Sequence, residues 1–160
     1  MDKIWKSQMD EKLKLMLFKA TTETILLYGS QTWTLTVAEE KSLDGTYTRM
    51  LRKVKNVSWQ EKMTNKTLYG KLKPVTQLIR DRRMGLAGHV YRDRTSPAHK
   101  TILWQPKHGS RSSGRPMTTL VDTLLRDTNL SSTADLESCM KDRNVWSRLC
   151  ESRDTRLDRK

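Results

Sequence analysis

Apolar residues near the start of the chain recur three and four positions apart, which is the spacing of one face of an α-helix. Leu13, Met16, Leu17 and Ala20 share such a face. The pattern predicts a helix that begins near Asp2 and ends at the Gly-Ser pair that follows the next apolar run.

A second helix is predicted from a capping box, in which a Thr hydroxyl and a Glu carboxylate three residues later satisfy free amides at a helix start. Thr36 and Glu39 have this spacing. The apolar positions that follow form one continuous stripe, namely Leu43, Tyr47, Met50, Leu51 and Val54. We expect this stripe to be buried.

A third long helix is predicted between Pro74, which suits the first helical position, and about Arg92. Its strongly apolar residues cluster in one sector of the helix, and they are Val75, Leu78, Ile79, Leu86 and Val90. Arg82 and His89 fall in the same sector. We expect these two side chains either to bond backbone carbonyls inside the protein or to contact a ligand.

Local start signals predict the remaining helices. Thr64 precedes a short one, an apolar cluster marks another at 120–125, and Ser132 and Asp142 each suit the cap of a later one. Residues 95–116 are rich in Pro, Gly, Ser and Arg, which predicts a mobile basic loop. The expected fold class is all-α, an irregular assembly of about five to seven helices.

Composition narrows the class of protein. Of 160 residues, 35% are hydrophobic, which predicts a thin core. Cys139 and Cys150 are too few to staple a domain of this length, and no signal-peptide pattern precedes them, so we expect an intracellular chain. The apolar runs are far shorter than the roughly 20 residues that cross a bilayer, so we expect no membrane partner.

Net positive charge is concentrated in the middle of the chain. Residues 41–116 carry 18 Lys and Arg against 4 Asp and Glu, whereas both flanking segments are close to neutral. A block this one-sided repels itself unless anions lie on it, so it predicts a polyanion partner, with RNA or DNA backbone as the leading candidate. Guanidinium groups bind phosphate oxygens bidentately, which suits the series Arg80, Arg82, Arg83, Arg92 and Arg94; a solvated helix face is the alternative.

Aromatic residues and the flexible loop offer further contacts. Trp104 is the best candidate for stacking on an unpaired base, whereas Trp33 and Trp146 are interpreted as core anchors. Arg111 and Arg115 lie on a Ser- and Gly-rich stretch, which either folds onto a phosphate backbone or acts as a plain linker.

Catalytic and metal-binding patterns are missing from the sequence. His99, His108, Cys139 and Cys150 are spaced too widely for a structural zinc site. The serines and histidines lack a nucleophile-elbow frame, and no Gly-rich phosphate cradle with its lysine is present. We therefore expect no enzyme activity, no cofactor and no metal.

Several short stretches occur together in a distinctive order. They are residues 26–35 (LLYGSQTWTL), 49–52 (RMLR), 57–59 (VSW), 79–83 (IRDRR), 88–90 (GHV), 114–116 (GRP) and 142–146 (DRNVW). In this order, and over nearly the whole chain, the sequence resembles the region that follows the polymerase core in reverse transcriptases of non-LTR (LINE-like) retrotransposons.

The resemblance implies that successive segments of the chain correspond to different parts of such a reverse transcriptase. Residues 1–54 would correspond to the end of the polymerase thumb, 55–94 to a basic helical linker, 95–116 to a flexible basic loop, and 117–160 to C-terminal helices with a frayed tail. The family's catalytic aspartates belong to an Asp-Asp turn upstream, and this chain has no Asp-Asp pair.

The function that the resemblance implies is that of a non-catalytic, nuclear fragment that grips RNA or DNA backbone for a missing upstream polymerase core. The residues expected to contact nucleic acid are Arg49, Arg52, Lys53, Arg80, Arg82, Arg83, His89, Arg92, Arg94, Trp104, Arg111 and Arg115. Two alternatives stay open. One is a self-contained helical DNA-binding regulator that reads a site through the helix at 75–92, and the other is a decayed element copy without function.

Overall fold

The computed structural model describes residues 2–104 and 118–151. Within these ranges all regular structure is helical, so the all-α prediction is confirmed. Six of the helices described there have eight or more residues. The chain divides into two compact units, the first formed by Met1–Ser30 and Val37–Ile79 and the second by Gln31–Thr36 and Arg80–Lys160.

The helices that begin in the first unit are α1 (Asp2–Trp5), α2 (Glu11–Phe18), α3 (Thr24–Leu26), α4 (Val37–Val54), α5 (Asn65–Tyr69) and α6 (Val75–Arg92). A π-helical segment, Lys19–Glu23, joins α2 to α3, and 3₁₀ turns occupy Ser30–Thr32 and Trp59–Glu61. The single long helix predicted from Asp2 onward is therefore two helices, α1 and the continuous run from α2 through α3.

The predicted apolar face of α2 lies in solvent. Leu13 and Met16 are 50% and 59% exposed, whereas Lys14 is only 7% exposed. The Lys14 Nζ donates to the carbonyls of Trp5 and Ser7 at 2.8 and 2.7 Å, which ties α1 to α2. The two carbonyl acceptors offset the cost of burying the ammonium, and hydrophobic periodicity does not reveal such acceptors.

Aromatic side chains form the centre of the first unit. The rings of Phe18 and Tyr47 lie 5.6 Å apart, and those of Tyr47 and Tyr69 lie 6.3 Å apart. The Tyr47 hydroxyl donates to Oε2 of Glu23 at 2.6 Å. The predicted stripe on α4 is confirmed in large part, with Tyr47, Leu51 and Val54 buried and Leu43 and Met50 partly buried.

The second unit contains the rest of α6 together with α7 (Ala98–Thr101), α8 (Leu120–Thr128), α9 (Thr133–Lys141) and α10 (Arg143–Glu151). Its core cluster consists of Met84, Ala87, Leu124, Leu136, Met140 and Trp146. Trp146 is buried, as expected for a core anchor, and Trp33 is half-buried.

Helix starts largely follow the local signals. The hydroxyls of Thr64 and Ser132 accept backbone N–H groups at the starts of α5 and α9, and the Asp142 carboxylate does so at the start of α10. The capping box that Thr119 and Asp122 form at the start of α8 was not predicted from the sequence. The segment 95–116, predicted as a loop, contains α7. Its residues 105–116 lie outside the described ranges. Residues 152–160 of the predicted frayed tail lie outside them as well.

The boundary between the units falls inside α6, between Ile79 and Arg80. The two units therefore group residues differently from the four segments 1–54, 55–94, 95–116 and 117–160. That these segments correspond to parts of a longer protein stays a prediction.

Candidate nucleic-acid interface

Two of the predicted phosphate ligands are inside the second unit. Arg80 and Arg83 are only 8% and 3% exposed. Arg80 Nη2 donates to the carbonyl of Asp127 at 2.8 Å, while Arg83 donates to the Asp127 carboxylate and, at 2.9 Å, to the carbonyl of Trp33. Their Nη groups bond internal acceptors and their side chains are buried, so both arginines contribute to the packing of this unit; that Arg80 and Arg83 contact nucleic acid stays a prediction.

The prediction that Arg82 lies on the buried face of α6 is wrong, because that face was placed from the strongest apolar residues of the helix. Leu86 and Val90 are only partly buried, whereas Met84 and Ala87 are fully buried and turn the inward face toward Arg83. Asp127 is also buried, and a buried carboxylate needs a paired cation. The buried arginines that bond internal acceptors are therefore Arg80 and Arg83.

Arg82 and His89 lie on the outside of α6. They are seven residues apart, which is about two helical turns, so they share one exposed face. Gly85, between them, is also exposed, and a Cβ at this position would meet nothing within 4 Å. This face therefore presents two basic side chains flanking an open surface.

The second unit has a basic pocket beyond the end of α6, which we call the Arg94 pocket. It has a volume of about 620 Å³ and is lined by Tyr91, Arg92, Arg94, His99 and Lys141. Arg94 and Lys141 are exposed. Arg92 is half-buried, and its Nη1 donates to the carbonyl of Met140 at 3.1 Å, which fixes the guanidinium at the wall.

Two acidic residues, Asp93 and Glu137, lie near the cations of this pocket. Asp93 is bonded by the amide and hydroxyl of Thr95 at 3.1 and 2.6 Å, and these hydrogen bonds hold its pKa below the ordinary value. Burial raises the pKa of Tyr91, and the Glu137 carboxylate adds to that effect, so Tyr91 stays a neutral phenol at pH 7. The pocket thus sets Arg92, Arg94 and Lys141 beside the neutral phenol of Tyr91.

The first unit has a second basic pocket at the end of α4, which we call the Arg52 pocket. Its volume is about 360 Å³, and its lining residues are Trp5, Lys6, Arg52, Lys53, Asn56, Val57 and Ser58. Arg52 Nη2 donates to the carbonyl of Met63 at 2.7 Å and to Oδ1 of Asn65 at 3.1 Å. Lys6 and Lys53 are exposed, so three cations face this pocket beside a buried indole.

The remaining predicted ligands are scattered or lie outside the described ranges. Arg49 is exposed on α4 and donates to the Thr46 hydroxyl at 3.2 Å. Trp104 is 66% exposed. Arg111 and Arg115 fall in 105–117, outside the described residues.

Several lining residues were missed by sequence reasoning, among them Lys6, Tyr91, His99 and Lys141. Lys6 and Lys141 belong to segments with balanced charge, so counting charges by segment could not single them out. His99 had been weighed only as a zinc ligand. Only tertiary structure brings α9 close to the end of α6, and no local signal marks these residues.

Neither a cluster of metal-ligating side chains nor a membrane-spanning helix is found in the described part of the chain. Within residues 2–104 and 118–151, His, Cys, Asp and Glu form no group of three that could hold a metal ion. No helix in the same ranges combines the length and apolar character required to cross a membrane.

Comparisons of the chain with protein-family models, with curated proteins and with solved structures each found no match.

Proposed function

We propose that this chain is a non-catalytic, nucleic-acid-binding part of a non-LTR retrotransposon reverse transcriptase, which grips the sugar–phosphate backbone of RNA or DNA for a polymerase core encoded upstream. The observation that carries the proposal is the Arg94 pocket, because three cations converge there from α6, from the segment that follows α6, and from α9. The Arg52 pocket supports it with three more. The sequence resemblance supplies the identity of the parent protein.

Both pockets are better suited to phosphate groups than to anions of lower charge density. Arg52 and Arg92 are held by backbone carbonyls, so each offers its remaining N–H groups from a fixed position. Phosphodiesters present repeated oxygens along a strand, which suits several cations at once. Neither pocket requires a particular base, so the proposed binding is independent of sequence.

Salt dependence is the first test. Each neutralised phosphate releases counter-ions, so the logarithm of affinity should fall linearly with the logarithm of salt concentration, by about 0.7–0.9 per phosphate contact. We expect fluorescence anisotropy with a labelled oligonucleotide to show this fall. Equal affinity at low and high salt would contradict the proposal.

Charge reversal locates the binding surface. The double variant Arg94→Glu/Lys141→Glu should weaken binding at least tenfold and reduce the salt slope by about 1.5, since two phosphate contacts are lost. Lys6→Glu/Lys53→Glu tests the Arg52 pocket in the same way. The matched control is Lys41→Glu/Arg148→Glu, which removes the same net charge from exposed positions outside both pockets. If the control loses as much affinity as the pocket variants, binding reflects net charge alone.

Two further measurements address the parent protein and the alternatives. A reading frame that continues upstream into a polymerase with an Asp-Asp turn supports the proposed identity. Selection from random duplexes should enrich no motif, whereas an enriched motif would favour a self-contained regulator.

A further inference from the structure

The Arg94 pocket mixes aromatic and cationic side chains. The rings of Tyr91 and His99 lie 5.4 Å apart at an interplanar angle of 44°, and both line the pocket with Arg92, Arg94 and Lys141. Proteins that bind single-stranded nucleic acid combine these two elements, because cations follow the backbone while aromatic rings stack on unpaired bases. A surface that only neutralises duplex phosphates needs no aromatic rings.

Trp104 carries a third aromatic ring and lies five residues after the pocket residue His99 in the sequence. Its side chain is 66% exposed, although burial of an indole is ordinarily favourable. The chain that leads to Trp104 is held by backbone hydrogen bonds: the Ile102 amide donates to the Ala98 carbonyl at 2.9 Å, and the Trp104 amide donates to the Thr101 carbonyl at 3.0 Å.

The residues just before Trp104 are anchored in the core of the second unit. Ile102 is buried, and Leu103 packs against the core cluster. The backbone is therefore fixed immediately before the exposed indole, which places the ring at a defined position.

The separation between this indole and the pocket suits a short stretch of strand. Trp104 follows His99 by five residues, and five residues span at most about 18 Å even when fully extended. Successive phosphates of one strand advance by at least about 3.4 Å. A stretch of a few nucleotides therefore reaches from a phosphate in the Arg94 pocket to a base at Trp104.

We infer that the second unit binds single-stranded RNA or DNA, with backbone phosphates in the Arg94 pocket and an unpaired base stacked on the indole of Trp104. This inference rests on the proposed function and adds the class of nucleic acid. In a duplex the bases are already stacked and paired, so a duplex gains only the phosphate contacts. The second unit should consequently prefer single strands.

The test compares a single-stranded oligonucleotide with a blunt duplex of the same length at one salt concentration. Trp104→Ala should weaken single-strand binding between about 5-fold and 100-fold and leave duplex binding unchanged. Trp104→Phe should restore part of the loss, because a smaller ring still stacks. Tyr28→Ala is the matched control, since Tyr28 is an exposed aromatic residue that lines neither basic pocket.

A measurement on the unaltered chain supports the variants. Single-stranded oligonucleotide should quench tryptophan emission, and the quenching should decrease in Trp104→Phe, whereas duplex should quench little. Thermal unfolding followed by circular dichroism verifies that each variant is folded.

The outcomes separate the inference from the proposed function. Unchanged single-strand affinity in Trp104→Ala, or an equal loss for single strand and duplex, overturns the inference while salt-dependent binding still stands. Absence of salt-dependent binding to either form overturns the proposed function and the inference together.

Discussion

The indole of Trp146 occupies the space that a side chain at Gly88 would fill. A Cβ at residue 88 would collide with Nε1 and Cδ1 of the indole. The same Nε1 donates to the carbonyl of Met84, one turn earlier on α6, at 3.0 Å. The absence of a side chain at Gly88 thus lets α10 attach to the backbone of α6 through one buried ring.

Gly88→Ala should destabilise the protein by about 1–3 kcal/mol, because the added methyl displaces a buried indole and weakens its hydrogen bond. Gly85→Ala is the control, since residue 85 is exposed, lies on the same helix and has nothing within 4 Å of its Cβ position. It should stabilise by up to about 1 kcal/mol through helix propensity. Urea unfolding measures both, and equal effects would contradict the close contact.

Arg83→Met should destabilise by about 3–5 kcal/mol, because it leaves the buried Asp127 carboxylate without its cation. The double variant Arg83→Met/Asp127→Leu should recover most of this loss, since an apolar pair replaces a buried ion pair at little net cost. A double-mutant cycle by urea unfolding gives the coupling. Arg82→Met, at the exposed neighbouring position, should stay within about 0.5 kcal/mol of the unaltered protein.

Stability at alkaline pH should depend on Tyr47. Burial, and secondly its hydrogen bond to Glu23, raise the pKa of Tyr47 above the ordinary 10.0. Above pH 10 the unfolded chain loses this proton while the folded chain keeps it, so the stabilisation present below pH 10 declines as pH rises. The slope approaches about 1.4 kcal/mol per pH unit for one proton.

Tyr47→Phe should flatten this alkaline decline in the free energy of unfolding. It should also lower stability at pH 7 by about 1 kcal/mol, because the hydrogen bond to Glu23 is lost. Urea unfolding from pH 8 to 11 measures both effects. Tyr28→Phe, at an exposed tyrosine, should leave the slope as it is, and a slope unchanged in Tyr47→Phe would disprove the linkage.

We expect Lys14→Met to detach α1 from α2. The substitution leaves the carbonyls of Trp5 and Ser7 without their shared donor, which costs about 1–3 kcal/mol. Hydrogen exchange over residues 2–7 should accelerate, while the adjacent exposed Lys12→Met should not change it. Because Trp5 and Lys6 line the Arg52 pocket, Lys14→Met should also weaken nucleic-acid binding, and retained protection at 2–7 would rule out the anchoring role.

Local signals in the sequence determine where many of the helices lie. The Thr64, Ser132 and Asp142 side chains cap the helices that follow them, and α6 extends over the predicted range to Arg92. These features depend on residues within one turn of each other, so they can be recognised from the sequence without knowledge of the tertiary structure. The excess of basic residues at 41–116 is likewise a property of the sequence alone.

Tertiary structure decided which face of each helix is buried and which cations are available. Lys14, Arg80 and Arg83 are inside because acceptors distant in sequence, among them Trp5 and Asp127, offset the cost of desolvation. Hydrophobic periodicity places Arg82 rather than Arg80 or Arg83 among the apolar residues of α6, because it does not reveal acceptors that are distant in sequence. The Arg94 pocket has the same origin, because Lys141 joins Arg94 only when α9 packs near the end of α6.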